Sequence, residues 1–565
     1  MNGAPRPRPA ADAELSPAAD LPRRRPPDHV PVAVVGAGPV GATAANLLGL
    51  YNVETLVLDR EPGVVDYPRA IGIDDETLRT FQTIDLVDEI LRDAIQNVPL
   101  KFFDAKGYCL AEMQPTGREN GWYKRNIFMQ PTAELALRRG LERFPHVHQL
   151  WSTELRRVSQ DRHGVTLHLV DEHGEPRTIR ADYVIAADGG RSPVRSQLGI
   201  PLEGSTHARK WVVIDCADDP LDAPYTALHC DPRRPYVCAR MPHGHRRWEF
   251  MLFPGEDGDE VLDPSRIARL LRHHVDDPGA VEIIRARVYT HHSRIAARFL
   301  QGRVALVGDA AHLMPPWAGQ GMNTGIRDVT NLCWKLAAVV TGEADPLLLT
   351  TYDQERRPHA QAMIDLSTTF GRIVSPTLLP SAWTRDRVLR AVSRAPAVKR
   401  WTMEMRFKPT PYYSEGFVAP ERARPRTRSE GRMFIQPAIE APGGVRQRLD
   451  DLLGPWFAVI GFDVDPLTRL DDRQLSALAR LRPHVIKIVP SRAGERCRRD
   501  PCVMRSTTVV EDVDNELRSW FQARDGTVAV IRPDRYVAAL TTPDGLGGRL
   551  AVLADQFVGR LRAEG

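Results

Sequence analysis

Cysteine is scarce in this chain. Seven occur in 565 residues, at positions 109, 216, 230, 238, 333, 497 and 502, an odd number without C-x-x-C and without the paired spacing of a metal site. A disulfide scaffold and a structural metal are both excluded, and a reducing cytoplasm is the expected compartment. Long apolar runs are missing as well. No stretch reaches the roughly 18 uninterrupted apolar residues of a membrane span, and the best apolar helical pattern, over 332–340, carries Lys335. Charge of one sign is also lacking: 76 basic and 72 acidic side chains leave a formal +4. With no long single-sign block in the folded part, neither nucleic acid nor a membrane is an expected partner.

What is present is enough chain for two to four cores. Residues 1–29 hold repeated Pro and Arg, including Arg23-Arg24-Arg25, and no apolar h-region. They are expected to form a disordered leader and not a signal peptide. Order is predicted from Pro31, where Val32-Ala33-Val34-Val35 reads as a buried parallel strand ending at a glycine cluster. A helix is predicted from about Val40 to Leu50, then a strand over 55–58 closing at Asp59. Two later runs have the same strand-then-turn shape, Tyr183-Val184-Ile185-Ala186-Ala187 before Asp188-Gly189 and Val304-Ala305-Leu306-Val307 before Gly308-Asp309. Between them, residues of about 205–295 alternate apolar and polar, as in Trp248-Glu249-Phe250-Met251, which predicts an antiparallel sheet. One fold is thus interrupted by another. A Pro/Arg-rich stretch over 420–428 reads as a linker, and strands and helices resume near Gly431.

Gly36-Ala37-Gly38-Pro39-Val40-Gly41 is G-x-G-x-x-G placed after a strand and opening a helix, the context in which the pattern has a physical meaning. Gly36 permits the turn, Gly38 lets backbone approach a pyrophosphate, and Gly41 lets helix and strand pack closely. A diphosphate is expected to sit on the helix N-terminus. Asp59, about 20 residues on, is placed to accept hydrogen bonds from the adenosine ribose, with Arg60 beside it. A plain glycine turn would not bring strand, spacing and acid together. This motif predicts a dinucleotide without deciding between NAD and FAD.

Gly308-Asp309-Ala310-Ala311-His312, followed by Pro315-Pro316-Trp317-Ala318-Gly319-Gln320-Gly321-Met322-Asn323, resembles the class A flavin monooxygenases, the family of para-hydroxybenzoate and phenol hydroxylases. The resemblance implies that Asp309 holds the ribityl chain of FAD and that the segment from Gly319 through Gly321, Met322 and Asn323 starts a helix aimed at the flavin pyrimidine ring. A helix N-terminus there would stabilise negative charge on the reduced flavin. Asp188-Gly189-Gly190-Arg191-Ser192-Pro193 resembles the family's Asp-Gly motif, implicated there in FAD and nicotinamide interactions; alone it reads as a turn with Ser192 as N-cap. Arg69 and Gln130 fall where the family contacts FAD, although an Arg or Gln on an element's face is usually just solvated.

The resemblance covers nearly all of the chain from about residue 30. Segments such as Asp66-Tyr67-Pro68-Arg69-Ala70-Ile71-Gly72-Ile73-Asp74-Asp75-Glu76, Cys230-Asp231-Pro232-Arg233 and Met405-Arg406-Phe407-Lys408-Pro409 are similar to the family's hydroxylases of 3-(3-hydroxyphenyl)propionate and 3-hydroxycinnamate. It implies a small phenolic acid substrate, NADH and O₂ as co-substrates, and ortho-hydroxylation through a flavin C4a-hydroperoxide in aromatic catabolism. The implied fold class is α/β, or α+β multidomain. A Rossmann-like FAD-binding domain over 30–400 is interleaved with an antiparallel-sheet substrate domain (about 100–130 and 205–295). A linker over 401–430 leads to a thioredoxin-like domain over 431–565. That last domain lacks C-x-x-C, since Cys497 and Cys502 have four residues between them, so it is expected to pack or to make a homodimer contact and not to do redox chemistry.

The residues do not select a catalytic base. His243 and Tyr289 are the candidates, with His245, Arg246 and Arg247 as further polar groups, and an arginine paired with the propionate carboxylate is physically reasonable. His312 reads as a satisfied core group. Three other functions remain open. A tailoring hydroxylase or epoxidase of a larger aromatic substrate would share every cofactor motif. An NAD-dependent dehydrogenase would leave the Gly308-Asp309 region without a task. A non-catalytic FAD-fold binding protein would keep the scaffold alone.

Overall fold

The computed structural model describes residues 26–419, 429–441, 443–490 and 507–559. Most of the expected leader, residues 420–428 of the expected linker, and both Cys497 and Cys502 lie outside the described residues.

Strand β1 (His29–Val35) is buried along its apolar run. It lies between two parallel neighbours, β2 (Thr55–Leu58) and the strand Pro176–Ala186. A strand covered on both faces has no polar side to present, hence the continuous Val-Ala-Val-Val. Helix α1 (Pro39–Leu50) makes the crossover from β1 to β2 that parallel pairing requires. Strands Val304–Leu306 and Val147–Leu150 extend the parallel part of this eight-stranded sheet.

The second sheet also has eight strands. Its order runs His312–Leu313, Ile283–Ala296, Leu202–Cys216, Arg246–Met251, Tyr236–Arg240, Thr226–Cys230, Leu100–Asp104, Cys109–Met113. Pairing is antiparallel except where Thr226–Cys230 lies parallel to Leu100–Asp104. The expected contribution of 100–130 needs correction. Only the part up to Met113 joins this sheet, and Asn126–Phe128 pairs with Gly72–Ile73 and Ala94–Gln96 in a separate three-stranded sheet. In that sheet Asn126 Nδ2 donates to the Ile73 and Tyr123 carbonyls at 3.2 and 2.8 Å.

On the strand Arg246–Met251, Trp248 and Phe250 pack into a core with Ile267 and Leu271 of the helix Pro264–Leu271. Arg247 and Glu249 point the other way, toward the FAD-type unit. Both faces of the sheet are covered.

The C-terminal unit has a seven-stranded sheet, ordered Val445–Arg448, Ala438–Ala441, Thr507–Asp512, His484–Pro490, Ala458–Phe462, Val528–Ile531, Val537–Thr541. Ala458–Phe462 is parallel to His484–Pro490 and antiparallel to Val528–Ile531. Buried ion pairs join this unit to the rest. Arg532 binds Glu355 through both Nη atoms at 2.7 Å and also holds Asp534. Arg79 binds Asp450 at 2.7 and 2.8 Å. Lys335, the charge that interrupts the apolar helix pattern, is fully buried and donates to Glu355 at 2.7 Å.

Candidate active site

The turn after β1 is shaped by what a side chain would strike. Gly36 has φ +97°, and a Cβ there would lie 2.4 Å from the Ala187 carbonyl oxygen. A Cβ at Gly41 would lie 1.8 Å from the Gly36 carbonyl oxygen. Gly38 differs: a Cβ would meet nothing within 4 Å, so an open space lies over the amino end of α1, where an anion is favoured. Asp59 follows β2, and its carboxylate accepts the Ala37 and Glu61 amides at 2.7 and 2.9 Å. Gln130 accepts the Ala70 amide at 2.7 Å, fixing the segment that carries Arg69.

The Gly308–Ala310 turn is held from behind. Asp328, on the long helix Gly321–Val340, accepts the Gly308 amide at 3.1 Å, contacts His312 Nε2 at 2.7 Å and receives Arg356 Nε at 2.9 Å. Burial alone would raise the Asp328 carboxyl, but His312 and Arg356 outweigh it and hold it low. His312 therefore positions the turn from outside the cavity. Asp309, one residue on from Gly308, lines the cavity with no hydrogen-bond partner among the described residues.

Asn323 ties the start of the long helix to its surroundings. Its Oδ1 accepts the Asp74 amide and the Thr77 hydroxyl at 3.1 and 2.8 Å, and its Nδ2 donates to Gly72 and Gly319 carbonyls at 3.1 and 2.7 Å. The first-turn amides of this helix have no intrahelical acceptor, and Gly321, Met322 and Asn323 line the cavity.

These residues fit FAD. Gly38 leaves room for a pyrophosphate, Asp309 offers an unpartnered carboxylate, and the helix start favours negative charge. Asp188 accepts the Val194 amide at 3.0 Å through one oxygen while its Oδ1 is buried without a partner, and burial pushes its carboxyl up.

One cavity of about 340 Å³ connects this cradle to the second sheet. Gly38, Arg69, Gln130, Asp309, Gly319, Gly321, Met322 and Asn323, all expected cofactor contacts, line it. Gly36, Gly41 and Gly308 stand behind the lining, and Arg60 is 75% exposed, paired with Glu61. The wall opposite the cradle is largely apolar: Leu100, Leu228, Val237 and Trp317, with Thr226 among them. Trp317 is braced edge-on by Trp211 and His291, at ring separations of 4.4 and 5.1 Å.

The candidates for a base lie elsewhere. His243 is half-exposed, 3.4 Å from Asp93, and His243 and Tyr289 are both absent from the cavity wall. Arg246 is buried on the sheet's far side, holding Asp219 and the Leu221 and Ala223 carbonyls. Arg247 does line the cavity, but its donors are engaged by Asp215 at 2.7 and 2.9 Å, by the Arg69 carbonyl at 3.0 Å and by the Pro68 carbonyl. It clamps the Arg69 segment to the sheet. Among the charged lining residues, Lys124, Arg125 and Glu249 were not anticipated from sequence. Glu249 had a signal in the Arg-Trp-Glu-Phe alternation, whereas nothing in Lys124-Arg125-Asn126 distinguished the arginine.

At the edge of the cavity, Asp74 and Glu76 share Arg327, and Lys408 reaches both at 3.0 and 3.2 Å. Asp75 has no cation, only Asn120 Nδ2 at 2.9 Å. Burial, with the Asp74 and Glu76 charges adding to it against the pull of Lys408, pushes Asp75 up to about 6. A carboxyl raised from 3.8 in the folded state costs stability above that value and stops doing so as the pH falls toward 4. Asp75→Asn is therefore expected to stabilise the protein by about 1–3 kcal/mol at pH 7.5, with the gain shrinking as pH drops through 6. Denaturant titrations at several pH values check this; a gain independent of pH would contradict it.

Residues 29–367 match the family described as FAD binding domain, and residues 431–556 match the HcaD C-terminal domain. A 3-(3-hydroxy-phenyl)propionate/3-hydroxycinnamic acid hydroxylase from Burkholderia vietnamiensis is 52% identical over 92% of this chain and 94% of its own length. A hydroxylase of the same description from Mycolicibacterium smegmatis is 46% identical over 91% and 90%. Among solved structures, the flavin-dependent monooxygenase PieE, in complex with FAD and substrate, superimposes with a TM-score of 0.78 at 23% identity, covering 94% of this chain and 99% of that one. Aklavinone-11 hydroxylase with FAD and aklavinone gives 0.72 at 22% identity over 93% and 99%.

Proposed function

The chain belongs to the flavin-dependent monooxygenases with this FAD binding domain, and from that premise we propose that it hydroxylates 3-(3-hydroxyphenyl)propionate and 3-hydroxycinnamate ortho to the existing hydroxyl, with NADH and O₂. The observation that carries the reading is the single cavity with a dinucleotide cradle at one end and an apolar sheet wall at the other. FAD, when bound, passes electrons from the nicotinamide to O₂ and delivers one oxygen atom. The protein supplies position and surroundings. Leu100, Leu228, Val237 and Trp317 hold an aromatic ring and keep water out. The start of the helix Gly321–Val340 favours negative charge developing beside it.

The C-terminal unit reads as thioredoxin-like. Its support is the core order His484–Pro490, Ala458–Phe462, Val528–Ile531, Val537–Thr541, with Val528–Ile531 antiparallel to its neighbours. Cytoplasmic location is supported by few cysteines, with Cys109, Cys216, Cys230, Cys238 and Cys333 all free; no described helix is long and apolar enough to cross a membrane. A homodimer would cover the exposed Leu378, Leu379, Trp383 and Val388.

The test is NADH oxidation in air by FAD-loaded protein. Addition of 3-(3-hydroxyphenyl)propionate is expected to raise the rate at least about tenfold, and a bulky polycyclic phenol to leave it unchanged. Stimulation by the polycyclic phenol alone would replace the small phenolic acid with a larger aromatic substrate.

A further inference from the structure

The cations and acids around the cavity are nearly all spoken for. Arg247 spends its donors on Asp215 and two carbonyls, Lys124 holds Glu119 at 2.8 Å, and Asp74 is shared by Arg327 and Lys408. Arg69 lies on the exposed FAD side. Beyond Arg69 and Asp309 at the cradle end, two charged groups in the cavity lining have no ion-pair partner among the described residues. Arg125 donates through Nε to the Val98 carbonyl at 3.1 Å, and its two Nη atoms have no acceptor among the described residues. Glu249 is 8% exposed and its carboxylate has no hydrogen bond among the described residues. Arg125 is half-buried and Glu249 is buried, and both line the cavity, so their free polar atoms are available to a ligand there.

Their placement sets the shape of that ligand. Glu249 lies on Arg246–Met251, with Val237 opposite it on the next strand and Leu228 opposite Val237 on the one after. Arg125 hangs from Val98, just ahead of Leu100–Asp104, the strand beyond that. Three strand spacings, about 14 Å between backbones, separate the two across the sheet, Val98 lies a further four residues, about 13 Å, along the strand from Phe102, the partner of Leu228, and the long side chains shorten the gap. Between them lie Leu228, Val237 and Trp317, a surface for a flat ring.

We propose that Arg125 and Glu249 bind the two polar ends of one substrate, Arg125 the side-chain carboxylate and Glu249 the phenolic hydroxyl. The assignment rests on the phenolic-acid reading above. It also has only one polarity, because a substrate carboxylate beside Glu249 would face a like charge. As the ring is attacked, the phenol O–H bond breaks, its proton passes to a Glu249 oxygen, and the electron pair stays on the phenol oxygen, where it activates the ortho carbon. Burial pushes Arg125 down to about 10 and Glu249 up, as befits charges awaiting partners. The charged groups that face Glu249 are Arg247 on its own strand and Asp215 on the strand Leu202–Cys216, and these neutralise each other.

Steady-state kinetics of the FAD-loaded protein on 3-(3-hydroxyphenyl)propionate and on the neutral 3-propylphenol separate the two roles. Arg125→Met is expected to raise KM for the acid about 10- to 100-fold, leaving KM for 3-propylphenol and both kcat values nearly unchanged, with partial rescue by Arg125→Lys. Glu249→Gln is expected to lower kcat on both substrates about 100-fold with little change in KM. That loss should narrow for a ring-fluorinated acid, whose phenol is more acidic. Retained flavin absorbance in each variant shows that the fold is intact. Equal KM changes on acid and neutral phenol in Arg125→Met, or an unchanged kcat in Glu249→Gln, overturn the assignment while the substrate reading stands. Wild-type protein that hydroxylates neither compound overturns both.

Discussion

Gly38→Ala should fold as the native chain does and yet fail to hold FAD. Gly38 sits at φ −66°, ψ −177°, a backbone conformation open to any residue, and its added Cβ meets no protein atom within 4 Å. Stability of the protein without cofactor is therefore expected within about 0.5 kcal/mol of native. The methyl group would project into the space over the amino end of α1, where the pyrophosphate must approach the backbone. FAD affinity is expected to fall at least about tenfold, or ~1.4 kcal/mol. Gly41→Ala is the contrasting case. Its Cβ would be 1.8 Å from the Gly36 carbonyl oxygen, a backbone atom that cannot rotate aside, so helix and strand must separate. Loss of about 1–3 kcal/mol or more is expected even without cofactor. Denaturant titration of the cofactor-free proteins, followed by FAD titration, distinguishes the pair; normal FAD binding by Gly38→Ala would contradict the cradle.

Glu355→Gln should be among the most destabilising single changes in the molecule. Glu355 is fully buried, contacts both Nη atoms of Arg532 and Lys335 Nζ at 2.7 Å, receives Asn331 Nδ2 at 2.6 Å and accepts the Phe417 amide at 2.8 Å. Burial alone would raise its carboxyl, but Arg532 and Lys335 outweigh that and hold it at about 2. The neutral amide keeps one acceptor oxygen in place of two, leaves Lys335 with no anion in contact beside Asn331 Oδ1 at 2.9 Å, and removes one of the charges that dock the C-terminal unit. A cost of about 3–5 kcal/mol follows from an uncompensated buried charge. Because Arg532 joins units distant in sequence, loss of the C-terminal unit to limited proteolysis should precede global unfolding. Replacing Glu355, Lys335, Arg532 and Asp534 together by Leu, Met, Met and Leu should recover most of the loss, since Arg532 also pairs with the buried Asp534 and an apolar set carries no desolvation cost. A quadruple variant no better than Glu355→Gln would place the stability in hydrogen-bond geometry and not in charge compensation.

The glycine-rich end of the cavity was legible in the sequence because the residues expected there act through local backbone. Gly36, Gly38 and Gly41 fall within one turn and Gly308 and Asp309 within another, each following an apolar run of the kind a buried parallel strand produces, and the segment to Asn323 opens the helix Gly321–Val340. The substrate half was not. Arg247-Trp248-Glu249-Phe250 alternates as a strand with one solvated face would, but this sheet is covered on both sides, so the polar face looks into a cavity. His243 and Tyr289 had the right chemistry for a base, but His243 sits in the turn Pro242–Gly244, Tyr289 on the strand Ile283–Ala296, and neither lines the cavity. The partners of the acidic cluster were invisible for another reason: Arg327 and Lys408 reach Asp74 across 253 and 334 residues of sequence, a distance no periodicity spans. Arg125 became a candidate only when the other cations in the cavity were seen to be occupied.

The most direct test of the central claim is the origin of the new oxygen atom. FAD-loaded protein, NADH and 3-(3-hydroxyphenyl)propionate under ¹⁸O₂ should give the 2,3-dihydroxyphenyl product carrying one ¹⁸O at the ring position ortho to the original hydroxyl, with one NADH consumed per product. Unlabelled product, or NADH consumption that yields only hydrogen peroxide, would contradict it.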